Sequence, residues 1–431
     1  MSYAKYESYK DSGVDWLGEI PEHWQLKRLK YVLAERNERS KTGEEPLFLV
    51  SQKYGLVVRA DYHDKAEIAQ SNIDNKIVYK NDLVFNKLKP HLGVFYKSEI
   101  DFKGLVSPDY AVYKVKNYIY DMKYLELLFR NPKYIEQFII RATGIVEGLI
   151  RLYTTELFEL PVMIPPREEQ EKILNFLHGK TAQIDQAIAL KQQQIEKLNE
   201  YKQIVIQNAV TKGLNPNAPM KNSGVEWIGN IPEHWDVKKN THLFNKIGSG
   251  TTPTSSDLSY YDSGDINWLQ TGDLNNDYIV ATSRKINQKA MSKFSSLKLY
   301  DENSLVIAMY GATIGKVGLL KIKSTTNQAC CVLGNSDKVF MKYIFYVMQF
   351  AKNHLISNSY GGGQPNINQD MIKNLRIPYP NLQEQEKIAN YLDDLNEKIY
   401  KTSKGYQTQI DRLKEYKNIL INQAVTGKIK I

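Results

Sequence analysis

The stretch SGVDWLGEIPEHW, residues 12–24, recurs as SGVEWIGNIPEHW at residues 223–235. Only three of the thirteen positions differ, and the pentapeptide IPEHW returns unchanged 211 positions later. Chance does not produce such a match in a chain of 431 residues. The repeat therefore predicts that the chain contains a duplicated unit.

A second pair of matching segments follows further along the chain. QEKILNFLHGKTAQIDQAI (170–188) matches QEKIANYLDDLNEKI (385–399), and LNEYK (198–202) matches LKEYK (413–417). The offset is now 215 instead of 211, so the regions between the repeats differ in length by a net four residues. Each duplicated unit thus contains a variable region between two repeated segments.

The second repeat has the pattern of a long helix. Prolines at 165, 166 and 380 stand just before it, and glutamates fill its first turn, as is typical of a helix start. In a heptad frame, eight of the eleven a and d positions are apolar in each copy. Residues 167–212 are expected to span roughly 65–70 Å, with Gly179 as the position most able to break the helix. The predicted seam residues are Ile184, Ile188, Ile195, Leu198, Val205, Ile399, Tyr406, Ile410, Leu413 and Leu420.

Two matched seams in one chain are expected to pack on each other. The pairing is antiparallel if each variable region returns the chain to the opposite end, which predicts a pseudo-twofold axis with one variable domain at each end. The alternative is a pair of amphipathic helices buried on separate domains.

The variable regions have a mixed character. Short apolar runs that predict strands are PLFLV (46–50), LVVRA (56–60), LVF (83–85), YAVYKV (110–115), LVIAMYG (305–311), KVGLL (316–320) and ACCVL (329–333). Helical patterns follow each set, at 124–140 and 341–356. The fold class is therefore mixed α+β, with two pseudo-symmetric α/β domains separated by an antiparallel two-helix coiled coil. The predicted division is a first variable domain (1–160), a central helical region (161–215), a second variable domain (216–375) and a distal helical region (376–431).

Composition excludes several classes of protein. No apolar run approaches the roughly 18 residues that cross a bilayer, and the first ten residues have no apolar core typical of a secretory signal. The two cysteines, Cys330 and Cys331, are adjacent and match neither a disulfide frame nor a zinc pattern. We expect a cytoplasmic protein. The net charge of +9 is spread without a basic tail, which favours an anionic partner only slightly.

Enzyme motifs are incomplete in this sequence. GATIGK (311–316) resembles a phosphate loop, but its glycines are too close and valine follows the lysine. NPKY (131–134) lacks the second proline of the amino-methyltransferase motif, and SPDY (107–110) with DFK (101–103) stands in the wrong order for a nuclease. His23 and His234 have no second ligand at metal spacing, so we interpret them as structural and expect no metal site. The sequence predicts a binding protein.

Taken together, these motifs resemble one family, the specificity subunit of type I restriction–modification enzymes. The resemblance rests on W-[LI]-G-x-IPEHW twice, on P-x3-EQEKI twice (165–173 and 380–388) and on the paired helical segments. It also rests on LVSPDYAVY (105–113) and STTNQACCVL (324–333). It covers nearly the whole chain.

The resemblance implies two target-recognition domains, each reading one half of a split, asymmetric site in double-stranded DNA. It implies that the helices set the gap and dock two methyltransferase subunits, and that ATP-dependent restriction subunits join this core. It also implies that the subunit itself is not catalytic and holds no cofactor, since S-adenosylmethionine, ATP and magnesium belong to its partners.

Candidate DNA-binding residues are chosen by side-chain type on expected loops and strand ends. They are Lys53, Tyr54, Arg59, Asn86, Lys87, Lys89 and His91 in the first domain, and Thr251, Thr252, Gln270, Tyr310, Lys316, Gln364 and Asn366 in the second.

Other functions remain open at this point. The chain could be a non-enzymatic helical scaffold that joins two protein partners without sequence-specific DNA binding. It could be a fused enzyme with an unrecognised active site, or the recognition subunit of another bipartite modification system.

Overall fold

The computed structural model describes residues 3–51, 54–62, 72–144, 150–359 and 366–431. Contacts divide the chain into two units, which we call unit 1 (Met1–Lys191 with Thr408–Ile431) and unit 2 (Gln192–Gln407). Each unit combines one variable region with parts of both repeated helical segments. The four-part division predicted from the sequence stays a prediction.

Unit 1 is built around a four-stranded antiparallel sheet. Its strands are β1 (Tyr9–Asp11), β2 (Glu19–Pro21), β3 (Gln25–Arg28), β4 (Leu33–Glu35), β5 (Phe48–Ser51), β6 (Gly55–Val58), β7 (Lys76–Val78), β8 (Leu83–Asn86), β9 (Phe95–Lys97), β10 (Gly104–Val106), β11 (Tyr110–Val115) and β12 (Pro161–Ile164). Its short helices are α1 (Leu29–Val32), α2 (Lys123–Leu128), α3 (Pro132–Arg141) and α4 (Thr154–Phe158). The main sheet has the order β4-β11-β8-β9. Alternate residues of β11 enter different cores, Tyr113 on one face and Val112 on the other, which explains why the strand is apolar on both sides.

Unit 2 repeats this plan with a five-stranded sheet. Its strands are β13 (Met220–Asn222), β14 (Asn230–Pro232), β15 (Asp236–Lys239), β16 (Ile247–Ser249), β17 (Ile266–Leu269), β18 (Asp277–Ile279), β19 (Arg284–Ile286), β20 (Leu305–Ala308), β21 (Val317–Leu320), β22 (Thr325–Thr326), β23 (Cys330–Leu333) and β24 (Arg376–Tyr379). Its helices are α6 (Asn240–Leu243), α7 (Gln288–Lys293), α8 (Met341–Ser357) and α9 (Gln369–Asn374). The main sheet has the order β16-β23-β20-β21-β18, so β20 and β23 occupy the same central place as β8 and β11 in unit 1.

Two long helices follow the variable regions, α5 after the first (Arg167–Lys212) and α10 after the second (Leu382–Val425). The expected weakness at Gly179 does not break α5: the position is exposed, and a single glycine costs a helix interior only about 1 kcal/mol. From residue 188 to 205, the six positions that are not exposed are the a and d positions of the predicted heptads. The same holds for the eight such positions from 396 to 420. Among the residues described, no helix is both long and apolar enough to span a bilayer.

Inside each unit the two helices contact each other. In unit 1, Lys417 Nζ donates to Asp185 Oδ2 at 2.6 Å, and Lys191 Nζ donates to Gln409 Oε1 at 2.5 Å. Residue numbers rise along α5 as they fall along α10, so these segments run antiparallel. In unit 2, Gly213 at the end of α5 lies against Glu384 in the first turn of α10, which is the same relation.

The repeated IPEHW motif attaches each variable region to the start of the following helix. In unit 1, His23 Nε2 lies 2.7 Å from Glu169 Oε2, and the buried Trp24 donates its indole N–H to Glu169 Oε1 at 3.1 Å. In unit 2, His234 Nε2 lies 2.9 Å from Glu384 Oε2. Both histidines therefore contact a carboxylate in the first turn of a helix, which explains why the motif occurs once in each unit.

A buried glutamine adds a second attachment at both helix starts. Gln170 donates to Tyr118 O and Pro165 O and accepts from Tyr120 N at 2.9 Å. Gln385 donates to Pro380 O and accepts from Phe340 N at 2.8 Å. Since each amide is fully buried and bonded, the EQEK motif has a structural role at this position.

The single helix predicted for residues 124–140 is wrong. The structure has two helices, α2 and α3, which are separated by residues 129–131. Pro132 lacks the N–H that a continuing helix needs, and Asn131 caps α3 by accepting from Lys133 N at 2.9 Å. The predicted helix at 341–356 is confirmed by α8.

Candidate nucleic-acid interface

In unit 1, the two central strands of the sheet are antiparallel, so β8 ends beside the start of β11 and the residues at these two strand ends lie together. The strands are antiparallel, with Asn86 opposite Tyr110, so Lys87 follows β8 close to the turn that carries Asp109. Asn86 fixes its own turn, since its side-chain oxygen accepts from Leu88 N at 3.0 Å. Asn86 and Lys87 therefore lie at a strand end, which is the kind of position expected for them from the sequence.

Arg151 joins this edge from a distant part of the chain, and the sequence did not predict it. Thr143 and Arg151 exchange two backbone hydrogen bonds of 2.9 and 2.8 Å, and Leu152 N donates to Lys87 O at 3.0 Å. The Arg151 side chain then donates from Nη2 to Asp109 Oδ1 at 2.8 Å. We call Asn86, Lys87, Asp109 and Arg151 the first edge.

The first edge holds two cations, Lys87 and Arg151, and one carboxylate, Asp109. Burial lowers the pKa of Lys87, and repulsion from the nearby positive charge of Lys76 lowers it further. Lys76 is itself buried and lies 3.2 Å from Glu35. An anion placed beside Lys87 would stabilise the charged form of this lysine.

The other predicted residues of unit 1 are more scattered. Lys89 and His91 are exposed in the turn that follows β8, so they lie close to the first edge in sequence. Tyr54 and Arg59 belong to the separate β5–β6 hairpin and its following turn, and the Tyr54 ring packs on Tyr62 with centroids 4.9 Å apart. Lys53 lies outside the described residues.

The corresponding edge of unit 2 lies between the end of β20 and the start of β23. Met309 N donates to Ala329 O at 2.8 Å, which brings the strand ends that carry Tyr310 and Gln328 together, and Thr252 Oγ1 donates to Gln328 Oε1 at 2.6 Å. Ile367 N donates to Met309 O at 2.8 Å, which brings Asn366 to the same edge. We call Thr252, Tyr310, Gln328 and Asn366 the second edge; the sequence predicted all of them except Gln328.

Neighbouring loops bring the remaining described candidates of unit 2 together. Thr313 Oγ1 donates to Thr271 O at 2.9 Å, which links the turn that ends at Lys316 to the loop that begins at Gln270. The Thr251 carbonyl accepts the Trp268 indole N–H at 3.1 Å. The neighbouring Gly250 packs directly against Thr326: a Cβ at position 250 would lie 1.7 Å from Thr326 O, so this position needs a glycine. Gln364 lies outside the described residues.

The turn at 311–316 joins the antiparallel strands β20 and β21, whereas a phosphate loop joins a strand to a helix. The two free cysteines are buried, and burial raises the pKa of Cys331 to about 12, so this thiol is a poor nucleophile. Within the described ranges, His, Cys, Asp and Glu nowhere gather in a group that could hold a metal ion.

Comparison with known proteins identifies the family. The model of the type I restriction modification DNA specificity domain matches residues 21–200 and again residues 232–412. The type I restriction enzyme MjaVIII specificity subunit of Methanocaldococcus jannaschii is 26% identical over 465 aligned positions, covering 100% of this chain and 98% of the relative.

Solved structures show the same fold. The HsdS subunit from Thermoanaerobacter tengcongensis has a TM-score of 0.54 at 16% identity, covering 95% of this chain and 98% of that one. A chain from a structural study of complex assembly and conformational transition in the type I R-M system has a TM-score of 0.70 at 16% identity, covering 94% and 98%. The duplicated family match, over most of both halves, confirms the family inferred from the repeats: the chain belongs to the type I restriction–modification DNA specificity family.

Proposed function

We propose that this chain is the DNA sequence-specificity subunit of a type I restriction–modification complex and that it recognises a split, asymmetric site. The observation that carries the proposal is the pair of edges, which occupy corresponding strand ends but carry different side chains. The first edge has Lys87, Arg151 and Asp109, while the second has hydroxyl and amide groups. These groups read base edges and phosphates, so two unlike edges would read two unlike half-sites.

The two long helices are proposed to form an antiparallel coiled coil that separates the recognition domains and sets the gap between half-sites. The heptad periodicity of burial supports this, as do the Asp185–Lys417 contact in unit 1 and the Gly213–Glu384 contact in unit 2. A stiff helical pair would fix the separation of two half-sites, which on one face of B-DNA lie about one turn, or ~34 Å, apart.

Each unit presents an exposed apolar pair that suits protein docking. Tyr201 and Ile204 of α5 are exposed in unit 2, and Tyr416 and Ile419 of α10 are exposed in unit 1. The pairs are 215 positions apart and therefore occupy the same place in the repeat. Large apolar side chains exposed at matching positions indicate a protein contact made twice, which supports docking of two methyltransferase subunits.

Catalysis is proposed to reside in those partners. S-adenosylmethionine would bind the methyltransferase subunits, and ATP and magnesium the restriction subunits that join the core. Adenine methylation would require the partner to flip the target base out of the duplex. The complex would act in the cytoplasm.

The test is to express the chain with its methyltransferase partner and to map methylated adenines across the genome. We expect a split motif with a fixed gap. Gel-shift of the same complex on random and motif-containing duplexes provides the control. Equal binding to both duplexes together with no methylation motif would instead favour a scaffold that joins two proteins without reading DNA.

A further inference from the structure

We propose that Arg151, held by Asp109, is a base-reading residue of unit 1 and selects a guanine in its half-site. The inference rests on the proposed function and adds the identity of one reading group and of the base that it takes. The sequence patterns did not single out Arg151, and they raised Asp109 only as part of the SPDY stretch.

The backbone at Arg151 is fixed on both sides. Arg151 N donates to Thr143 O at 2.8 Å and Thr143 N donates to Arg151 O at 2.9 Å. The next residue, Leu152, is fully buried and its N–H bonds to Lys87 O. The arginine therefore projects from a position that does not need to order when a ligand binds, and this preorganisation favours tight discrimination.

The side chain is oriented as well. Asp109 accepts one bond from Nη2 at 2.8 Å, and the Tyr153 ring lies 5.9 Å from the guanidinium. Asp109 is itself held, since its N–H donates to Ser107 Oγ at 3.3 Å. A guanidinium has five N–H groups, so the bond to Asp109 leaves donors for an acceptor pair. The O6 and N7 of guanine in the major groove are such a pair, and arginine is the side chain that most often takes them.

A purely structural role explains the pair poorly. The side chains are 32% and 53% exposed, and ion pairs at such exposure contribute little to stability. The buried Leu152 already anchors the segment. The second edge has the Thr252–Gln328 hydrogen bond, which carries no charge, at the same strand end. The charged pair is thus a feature of one unit and not of the common fold.

The experiment is to map the methylation motif of the full chain in complex with its methyltransferase, for wild type and for Arg151→Ala, Arg151→Lys and Asp109→Asn. Arg151→Ala should relax one position of one half-site, and that position should be guanine in the wild-type motif. Discrimination there should fall roughly 5- to 150-fold. Arg151→Lys should relax the same position, because lysine is a point charge without the bidentate fork. Asp109→Asn should relax it partially.

Two controls separate the possible failures. Arg28→Ala removes another exposed arginine–carboxylate pair of unit 1, to Glu159 at 2.7 Å, and should leave the motif unchanged. Gln328→Ala should alter only the other half-site.

The guanine assignment would be overturned by an unchanged motif in Arg151→Ala, by relaxation at an A·T position, or by equal weakening on all sequences, while the split motif stands. Absence of any split motif for wild type would instead overturn the proposed function.

Discussion

Two buried tyrosines link a strand to the end of a long helix. The Tyr124 hydroxyl lies 3.0 Å from both Met163 O in β12 and Val425 O at the end of α10. The Tyr343 hydroxyl lies 3.1 Å from Pro378 O in β24 and 3.3 Å from Val210 O in α5. Burial raises the pKa of both hydroxyls well above the ordinary value, so they remain donors.

Replacing either tyrosine by phenylalanine should destabilise its unit. Tyr124→Phe removes the donor and leaves two buried carbonyls without it, so we expect a loss of about 1–2 kcal/mol in the free energy of unfolding. Tyr343→Phe should have a similar effect in unit 2. Urea denaturation measures both, and Tyr400→Phe on an exposed helix face is the matched control. Midpoints equal to that of the control would contradict the role of the hydroxyls.

Three of the candidate residues chosen from the sequence lie at one strand end of unit 2. Thr252, Tyr310 and Asn366 were predicted from their type and turn context, and the structure brings them to one edge. The Arg151–Asp109 contact was missed, because it depends on the backbone bond from Leu152 N to Lys87 O, which brings Arg151 to the end of β8. Pairing between residues more than sixty positions apart leaves no local pattern. The only available signal was the SPDY stretch, in which Asp109 was weighed as a nuclease carboxylate.

At the scale of elements, the long helices were predictable because their signals are local. Prolines mark their starts, and the heptad pattern identifies the positions that are not exposed. The single helix at 124–140 was wrong because apolar periodicity continues across Pro132, which cannot donate the bond that a continuous helix requires. The sheet order could not be predicted, since β11 lies between β4 and β8, which precede it by very different distances along the chain.

Alanine at the two mid-helix glycines should stabilise the chain. A Cβ at Gly179 in α5, or at Gly405 in α10, would meet no atom within 4 Å. Each change should therefore add about 1 kcal/mol to the free energy of unfolding through helix propensity alone. Thermal denaturation measures the gain. Gly213→Ala is the opposite control: its φ of +73° and the Trp235 ring 3.2 Å from the added Cβ predict destabilisation. A loss of stability at Gly179 would show that its glycine is required.

Lengthening both helices should widen the DNA gap. Duplicating residues 195–201 in α5 together with 403–409 in α10 keeps the heptad register and adds about 10.5 Å to each helix. We expect the gap to grow by about three base pairs at ~3.4 Å each, with both half-sites unchanged. Methylation mapping measures this. Insertion into α5 alone is the control, because it mismatches the seams and should reduce stability. An unchanged gap in the double insertion would refute the spacing role.

At the scale of the whole molecule, the exposed pairs Tyr201/Ile204 and Tyr416/Ile419 predict how many methyltransferase subunits the complex contains. The double change of Tyr201→Ala and Ile204→Ala should leave one docking position, so the complex should contain one methyltransferase subunit instead of two. Adding Tyr416→Ala and Ile419→Ala should remove the second subunit. Native mass spectrometry counts them. Leu190→Ala is the matched control, since Leu190 is equally exposed on α5 but its repeat counterpart is Gly405. Two subunits retained by the fourfold variant would exclude this surface.

The division of unit 1 between Met1–Lys191 and Thr408–Ile431 has a consequence for biosynthesis. Residues 1–191 emerge from the ribosome more than two hundred codons before Thr408–Ile431 does. That later segment covers Pro21, Trp24 and the Tyr124 hydroxyl. The nascent chain must carry that uncovered apolar surface while unit 2 is being synthesised, which is the situation in which chaperones bind. A message truncated before codon 408 would encode the whole first variable region and yet lack the segment that covers this surface.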